Sequence, residues 1–292
     1  MGHYRFSFST NAFVRFPLHE ALGMIKEAGF EGAEILADAP HAYLGRAGAG
    51  QIRRLAARLK EINLSASSLN ANTACGFFRD APPEPFFEPS IISPNPKWRR
   101  WRIEYTKKAL SAAAELGAPS VAITTGRPMG DSRPEIARRY LREALDEILP
   151  EARRLGVGLG IEYEPGLLIE RADELLELLE EVDDPNLGAN LDIGHAKIAG
   201  EDILDAMEKL AGRIFNLHIE DIKGGKHYHL LPGEGEIDFA AILKKLDEIN
   251  YKGWLTWELY TYQSEPMRAA RAAAEFGRKL LAANGEGGAF LT

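Results

Sequence analysis

Short apolar segments rich in β-branched and aromatic residues alternate with longer segments of helical periodicity along almost the whole chain. Segments of the first kind predict eight strands at Tyr4–Ser9, Gly32–Leu36, Leu64–Asn70, Ser120–Thr125, Val157–Glu162, Leu187–Asp192, Ile214–Ile219 and Leu255–Glu258. Segments of the second kind predict eight helices at Pro17–Ala28, Ala49–Ile62, Trp98–Leu116, Arg133–Leu155, Arg171–Glu181, Glu201–Leu210, Asp238–Ile249 and Glu265–Ala283. Because one helix follows each strand, the pattern is typical of parallel βα units.

Eight consecutive βα units predict an α/β fold, a single closed (β/α)8 TIM barrel. Each unit takes roughly 35 residues, and a closed barrel leaves no edge strand exposed. No long Ser/Gly/Pro segment divides the chain. We therefore expect one barrel domain over residues 1–283 and a poorly ordered C-terminal tail over residues 284–292.

A proline-rich segment interrupts the regular pattern after the third predicted strand. Residues Cys75–Lys97 read CGFFRDAPPEPFFEPSIISPNPK, with many prolines and four phenylalanines, and can continue neither a helix nor a sheet ladder. The segment is predicted to be a long loop. Long βα loops in barrels often cover the active site, and the aromatic side chains are equally compatible with a subunit interface in a homo-oligomer.

The charge balance and the composition exclude or disfavour several classes of protein function. The chain has 292 residues, with 35 Lys and Arg against 43 Asp and Glu, a net charge of −8. This balance argues against a nucleic-acid partner, since such proteins carry a basic face. The one cysteine, Cys75, excludes an intrachain disulfide and a site of several thiolates. With no apolar segment of about 18 residues and no signal-peptide pattern, we expect a cytoplasmic protein with no membrane contact.

Four consecutive strands end in side chains that bind metals. The fifth strand ends at Glu162, the sixth at Asp192, the seventh contains His218 near its end, and the eighth ends at Glu258. In a barrel these ends meet at one mouth, where three converging carboxylates would repel each other unless a cation holds them. Carboxylates with one imidazole suit Mn²⁺, Mg²⁺, Co²⁺ or Zn²⁺. The sequence predicts a divalent-metal site here.

Further polar side chains follow the same strand ends and are candidates for substrate binding. In DIGHA a histidine follows Asp192 by three residues, in HIED an acid follows His218 by three, and the run KGGKHYH brings lysines and two histidines near the mouth. The candidates are Glu164, His195, Asp221, Lys226 and His229. For His227 the alternative of simple packing in the loop stays open.

These motifs resemble the xylose isomerase-like TIM-barrel superfamily, and within it the sugar and sugar-phosphate isomerase and epimerase group. The resemblance spans nearly the whole chain and rests on Glu162, DIGH, HIED, the turn PGEGEIDF and WELY. It implies one divalent ion, often Mn²⁺, bound by Glu162, Asp192, His218 and Glu258.

The resemblance also implies a mechanism on a small carbohydrate or cyclitol. The substrate would chelate the ion through a carbonyl and a neighbouring hydroxyl, and His195 would bind a substrate oxygen. Glu162 and Glu258 would exchange a proton at carbon through an enediolate. Return of the proton to the opposite face gives epimerisation, and return to the adjacent carbon gives isomerisation; the sequence leaves both open.

Three other functions remain as alternatives. The first is a metal-dependent dehydratase of an inosose or a dehydroshikimate-like substrate, which the same superfamily contains. The second, an endonuclease IV-type phosphoesterase with three zinc ions, would use Glu162, Asp192, His195, His218, His229 and Glu258, with His227 in place of an aspartate. It also needs histidines after earlier strands, where the chain has SSLNANT and AITTGRP. The third is a barrel that binds metal or sugar without turnover, which the intact acid and base candidates disfavour.

Overall fold

Eight parallel strands close into a barrel in a computed structural model that describes residues 4–78, 87–129 and 133–283. The barrel strands are β1 (Arg5–Ser9), β2 (Gly32–Leu36), β3 (Ser65–Asn70), β4 (Ser120–Thr124), β5 (Gly158–Glu162), β6 (Leu187–Asp192), β7 (Ile214–Ile219) and β10 (Trp254–Trp257). Around the barrel their order is β1, β10, β7, β6, β5, β4, β3, β2, so sequential strands are neighbours. The predicted (β/α)8 barrel is confirmed, and the predicted tail lies outside the described residues.

Helices follow the barrel strands and form the outer layer. They are α1 (Leu18–Glu27), α2 (Ala49–Glu61), α3 (Pro96–Leu116), α4 (Pro134–Leu155), α5 (Ala172–Val182), α6 (Ile193–Ile198), α7 (Ile203–Lys209), α8 (Phe239–Glu248) and α9 (Pro266–Ala283). Their apolar faces pack against strands that are buried on both faces, which accounts for the nearly continuous apolar runs. No helix within the described residues has the length and apolar character needed to cross a membrane.

The loop after β3 is as long as the sequence predicts. Residues 71–78 and 87–95 contain only one short 3₁₀ helix, Cys75–Phe77, and residues 79–86 of the predicted loop lie outside the described part of the chain. The helix that follows begins at Pro96, two residues before the prediction. Its first turn is capped by Asn95, whose Oδ1 accepts hydrogen bonds from the backbone N–H of Lys97 and Trp98.

Two features near the mouth differ from the regular βα unit that the sequence predicts. The helix predicted between β6 and β7 is observed as α7, and an unpredicted short helix, α6, precedes it because Asp192 caps a helix that starts directly at the strand end. After β7 the chain forms an antiparallel hairpin, β8 (Asp221–Lys223) and β9 (Lys226–Leu230). Its two-residue turn is Gly224–Gly225, with φ of 61° and 64°, the backbone of a type I′ turn.

Candidate metal centre and active site

The four strand-end side chains lie together at the barrel mouth. Glu162 and Asp192 are the last residues of β5 and β6, His218 lies one residue before the end of β7, and Glu258 directly follows β10. All four are buried, and one ligand atom from each lies within 4.8 Å of those of the other three. The register places His218 beside Asp192 on β6 and beside Thr256 on β10. The parallel strands thus bring three carboxylates and one imidazole to one place.

The donor set of this cluster fits a divalent cation. Oδ2 of Asp192 is buried without a hydrogen-bond partner among the described residues. Burial raises the pKa of Glu258 well above its ordinary range, and the charges of Glu162 and Asp192 act in the same direction, against the lowering effect of His218. Carboxylates in this environment are stabilised when a cation is held between them. Three oxygen donors and one nitrogen donor match the preferences of Mn²⁺, Mg²⁺, Co²⁺ and Zn²⁺.

Each ring nitrogen of His218 has a different partner. Nε2 lies 2.8 Å from Oε2 of Glu34, so this nitrogen carries the hydrogen and donates it. Nδ1 faces the carboxylates, 3.3 Å from Oε2 of Glu162 and 3.7 Å from Oε2 of Glu258. In metal-binding histidines, the ring nitrogen that does not bind the metal commonly donates its hydrogen to a carboxylate. Glu34 is not among the residues predicted from the sequence, although an acid within the buried strand GAEIL was a signal.

Amide side chains orient the carboxylate of Glu162. Its Oε2 accepts hydrogen bonds from Nδ2 of Asn72, at 3.0 Å, and from Nδ2 of Asn190. Asn190 is held in turn by Asn216, whose Nδ2 donates to Oδ1 of Asn190 at 2.8 Å. Thr256 donates to Oδ1 of Asn216 at 2.9 Å. This chain of hydrogen bonds crosses β6, β7 and β10 and fixes the glutamate from below.

The second glutamate is oriented by a separate pair of amides. Oε1 of Glu258 accepts hydrogen bonds from Nδ2 of Asn11, at 2.8 Å, and from Nδ2 of Asn70, at 3.1 Å. Asn11 lies in the 3₁₀ helix Thr10–Phe13 after β1, and Asn70 ends β3. These asparagines are not among the residues predicted from the sequence. Asparagine is common at turns and strand ends, and only the closed barrel brings these two to Glu258.

Three histidines form a second cluster beside the first. Nε2 of His227 lies 3.1 Å from Nε2 of His195 and 2.6 Å from Nε2 of His229. The other nitrogens of the outer rings face backbone carbonyls: Nδ1 of His195 is 3.0 Å from the oxygen of Tyr163, and Nδ1 of His229 is 2.6 Å from that of Glu258. The structure therefore brings together two predicted substrate-binding residues, His195 and His229, and adds His227.

The remaining predicted substrate-binding residues have different surroundings. Glu164 is partly buried near His195, and burial raises its pKa to about 7, with the charge of Glu162 acting in the same direction and that of His195 against it. Lys226 is exposed, with Nζ 5.7 Å from the centre of the Tyr228 ring. It lies at the turn of the hairpin, so the structure does not bring it into the cluster.

The surroundings of Asp221 differ from those expected from the sequence, because its carboxylate oxygens accept hydrogen bonds from backbone N–H groups. Oδ2 accepts hydrogen bonds from the N–H groups of Gly233 and Gly235, both at 2.8 Å, and Oδ1 accepts from Ile222 and Ile237 at 3.0 and 3.1 Å. These bonds hold the PGEGEIDF turn against β8. The structure thus assigns Asp221 to positioning this loop, not to contact with substrate or to orientation of His218.

The preceding residue, Glu220, is the acid that reaches the cluster. Its side chain is buried, and burial together with the charge of Asp192 raises its pKa well above the ordinary range. Oε1 packs against Gly194, where an added Cβ would lie 1.8 Å from this oxygen. Gly194 in the DIGH motif therefore leaves room for the carboxyl group of Glu220 beside Asp192.

Known proteins share the fold and about a quarter of the aligned residues with this chain. Fructoselysine 3-epimerase of Escherichia coli O157:H7 is 27% identical over 272 residues, 91% of this chain and 94% of that protein. An inosose dehydratase of Clostridium perfringens is 28% identical over 137 residues, 41% of this chain and 46% of that protein. A solved structure of a D-tagatose 3-epimerase-like protein superposes with a TM-score of 0.80 at 26% identity, over 97% of this chain and 98% of its own.

The family assignment follows from the sequence together with the fold. Residues 22–280 match the family described as xylose isomerase-like TIM barrel. The matched range contains all four strand-end ligand candidates. The similarity to fructoselysine 3-epimerase and to the D-tagatose 3-epimerase-like structure extends over nearly the whole length of each chain. The chain belongs to the xylose isomerase-like TIM-barrel family.

Proposed function

We propose that this protein is a divalent-metal-dependent isomerase or epimerase of sugars or sugar phosphates. The observation that carries the proposal is the buried cluster of Glu162, Asp192, His218 and Glu258 at the barrel mouth. The two glutamates approach it from β5 and β10, which β6 and β7 separate in the barrel. Such a placement is what a reaction needs when two carboxylates work on different sides of one carbon atom.

The cluster would hold one divalent ion, Mn²⁺ by preference, with Mg²⁺, Co²⁺ or Zn²⁺ as alternatives. When bound, the ion supplies stabilisation of the negative charge that develops on a substrate carbonyl oxygen. Glu34 would keep Nδ1 of His218 free of hydrogen and directed to the ion, since it accepts the hydrogen of Nε2.

The glutamates would move the proton. One carboxylate would take the proton from the carbon next to the carbonyl, leaving an enediolate, and the other would return a proton on the opposite face, which inverts that carbon. Return to the adjacent carbon would give the isomer instead. The amides of Asn72 and Asn190 on Glu162, and of Asn11 on Glu258, keep both carboxylates oriented for this transfer.

The side chains bordering the cluster would bind the rest of the substrate. His195 and His229 are buried beside the acidic cluster, and Glu164 lies next to His195. We assign these three to the other oxygens of a small carbohydrate or cyclitol. The similarity to an epimerase over nearly the whole chain supports this substrate class.

A dehydratase is the second candidate, favoured by the similarity to inosose dehydratase. The same pair of carboxylates would then remove a proton next to a carbonyl and protonate a hydroxyl that leaves from the next carbon. The two reactions give different products from one substrate: epimerisation conserves mass, whereas dehydration releases water.

Mass spectrometry and NMR on one panel of substrates test the proposal. Metal-loaded protein is incubated in D₂O with free and phosphorylated ketoses and with inososes. We expect an isomeric product with deuterium at the inverted or newly protonated carbon. A product lighter by one water would favour the dehydratase instead. Substrates that neither gain deuterium nor lose water would contradict both candidates.

A further inference from the structure

A buried arginine on α3 contacts the start of the long loop after β3. Arg102 is only 1% exposed. Its Nη2 donates hydrogen bonds to the backbone carbonyl of Ala71 and, at 3.0 Å, to that of Asn72. Ala71 and Asn72 directly follow Asn70, the last residue of β3. Arg102 therefore ties the helix to the point where the strand passes into the loop at the barrel mouth.

Packing alone does not explain an arginine at this position. Burial of a guanidinium group is costly unless ionic or hydrogen-bonding partners compensate for it. In the part of the chain that the structure describes, Nε and Nη1 of Arg102 have no hydrogen-bond partner. A methionine would fill much of the same space without burying a charge. The two carbonyl contacts are what only the longer, donating side chain supplies.

Asn72 is the residue whose position depends on these contacts. Its Nδ2 donates to Oε2 of Glu162 at 3.0 Å. Its backbone carbonyl accepts from Arg102 at 3.0 Å and from Oγ1 of Thr124 at 3.4 Å, and its backbone N–H donates to Oδ1 of Asn70 at 3.2 Å. Of these three contacts to the backbone of Asn72, the one from Arg102 is the shortest.

The other amide that binds Glu162 is held in a different way. Asn190 lies within β6, where the register pairs it with Asn216 on β7, and Nδ2 of Asn216 also donates to its side chain. A residue inside a strand is fixed by the sheet ladder, whereas Asn72 lies beyond the end of β3. The amide on the loop side therefore needs an anchor that the amide on β6 does not.

We propose that Arg102 is a positioning residue for the reaction, which holds the Asn72 amide in place and, through it, the carboxylate of Glu162. This inference rests on the proposed function, in which Glu162 is both a metal ligand and one of the two groups that move the proton. A displacement of about 1 Å at a reacting group can cost about 100-fold in rate. Arg102 acts on the reaction without touching the substrate.

A double-mutant cycle on metal-free, full-length protein tests this role without any substrate. Isothermal titration with Mn²⁺ compares the wild type, Arg102→Met, Asn72→Ala and the double variant. We expect each single variant to bind Mn²⁺ about 10-fold more weakly, at the low end of what groups behind a metal ligand contribute. The double variant should bind no more weakly than Asn72→Ala, because Arg102 acts only through Asn72.

Two further variants separate positioning from a general loss of stability. Arg102→Lys keeps a charged donor and should bind Mn²⁺ with an affinity between those of the wild type and Arg102→Met; it takes the place of Arg102→Met in the cycle if the latter does not fold. The matched control is Tyr251→Phe, which removes a buried hydroxyl that donates to the carbonyl of Trp254 at 2.8 Å. Trp254 begins β10, at the end of the barrel opposite the mouth, so this variant should bind Mn²⁺ like the wild type.

A crystal structure and the exchange rate complete the test. In crystals of Arg102→Met, or of Arg102→Lys in its place, the Asn72 amide should lie beyond hydrogen-bond distance from Glu162, and a contact kept at the wild-type distance would overturn the proposal. Deuterium exchange at saturating Mn²⁺ should fall about 10- to 100-fold in Arg102→Met, with the same lack of additivity. Losses that multiply in the double variant would also overturn it. A wild type that shows the coupled Mn²⁺ affinities but exchanges no substrate would instead contradict the proposed function alone.

Discussion

At the scale of single residues, the direction of each side chain at the mouth is set by one specific partner. Glu34 holds one nitrogen of His218 so that the other faces the carboxylates. Glu34 is fully buried and also accepts from Asn70, at 3.4 Å, so its position is fixed by the barrel interior. This contact makes Glu34 a positioning residue for His218, the candidate metal ligand.

Glu34→Gln should therefore weaken metal binding without removing a ligand. The amide keeps the shape but loses the negative charge that holds the imidazole, and we expect Mn²⁺ affinity to fall about 10- to 100-fold. Isothermal titration of metal-free protein with Mn²⁺ measures this. The matched control is Glu180→Gln on the exposed face of α5, which should bind like the wild type. An unchanged affinity in Glu34→Gln would show that His218 does not need this partner.

Asp221 stabilises the loop after the hairpin through four backbone N–H groups. Asp221→Asn would set an amide N–H₂ group against some of these donors, and the loss of charge-assisted bonds at a buried position should cost about 2 to 4 kcal/mol. Urea unfolding measures the change. Asp183→Asn, at an exposed residue with φ of 48° that asparagine also adopts, should change stability little. Equal stability of both variants would contradict the role of Asp221.

The sequence predicted the strand-end residues but not their partners, for a physical reason. Parallel strands in a barrel end at one mouth, so Glu162, Asp192, His218 and Glu258 could be placed together from strand order alone. Whether an acid in the middle of a strand points inward depends on the register, which the sequence does not reveal, and Glu34 was therefore missed. At the end of β7 the chain turns into a hairpin, and this turn brings Glu220 to the cluster and directs Asp221 away.

At the scale of elements, the hairpin β8–β9 is the main departure from the predicted pattern, and it carries His227 and His229. The run KGGK was a signal, because two glycines between short extended segments favour a two-residue turn. The polar composition of KHYH hid the strand, since it lacks the apolar alternation of a half-buried strand. The helix α6 was missed for a different reason: it is only six residues long, too short to show a helical period.

The turn of this hairpin should respond differently to two substitutions. Both turn residues have positive φ, and asparagine is accepted at the first position of a type I′ turn. Gly224→Asn should leave stability nearly unchanged, whereas Gly225→Val should destabilise by about 1 to 2 kcal/mol because a β-branched residue is strained there. Urea unfolding of the two variants compares them directly. A Gly225→Val variant as stable as Gly224→Asn would contradict the turn assignment.

At the scale of the whole molecule, the ligand candidates tie together strands from half of the barrel. Glu162, Asp192, His218 and Glu258 come from β5, β6, β7 and the end of β10, which are consecutive around the barrel. An unfolded chain does not hold these side chains together. A cation bound here therefore favours the folded barrel over the unfolded chain.

Metal loading should raise stability with the logarithm of the metal concentration once this exceeds the dissociation constant. At 100 times the dissociation constant, a ligand that binds only the folded state adds about 2.7 kcal/mol. We expect Mn²⁺ to raise the urea midpoint of metal-free protein and a chelator to reverse the change. Asp192→Asn, which lacks one anionic donor, should show a smaller shift. The same midpoint with and without metal would contradict binding at this cluster.

Deuterium exchange from solvent into a bound ketose tests the central claim most directly. Glu162→Gln and Glu258→Gln each keep an oxygen donor but lack the basic carboxylate that moves the proton. At saturating Mn²⁺ we predict that each variant loses at least about 100-fold in the exchange rate measured by NMR, relative to the wild type and to Glu180→Gln. Exchange at the wild-type rate in both glutamate variants would contradict the account, because neither carboxylate would then move the proton.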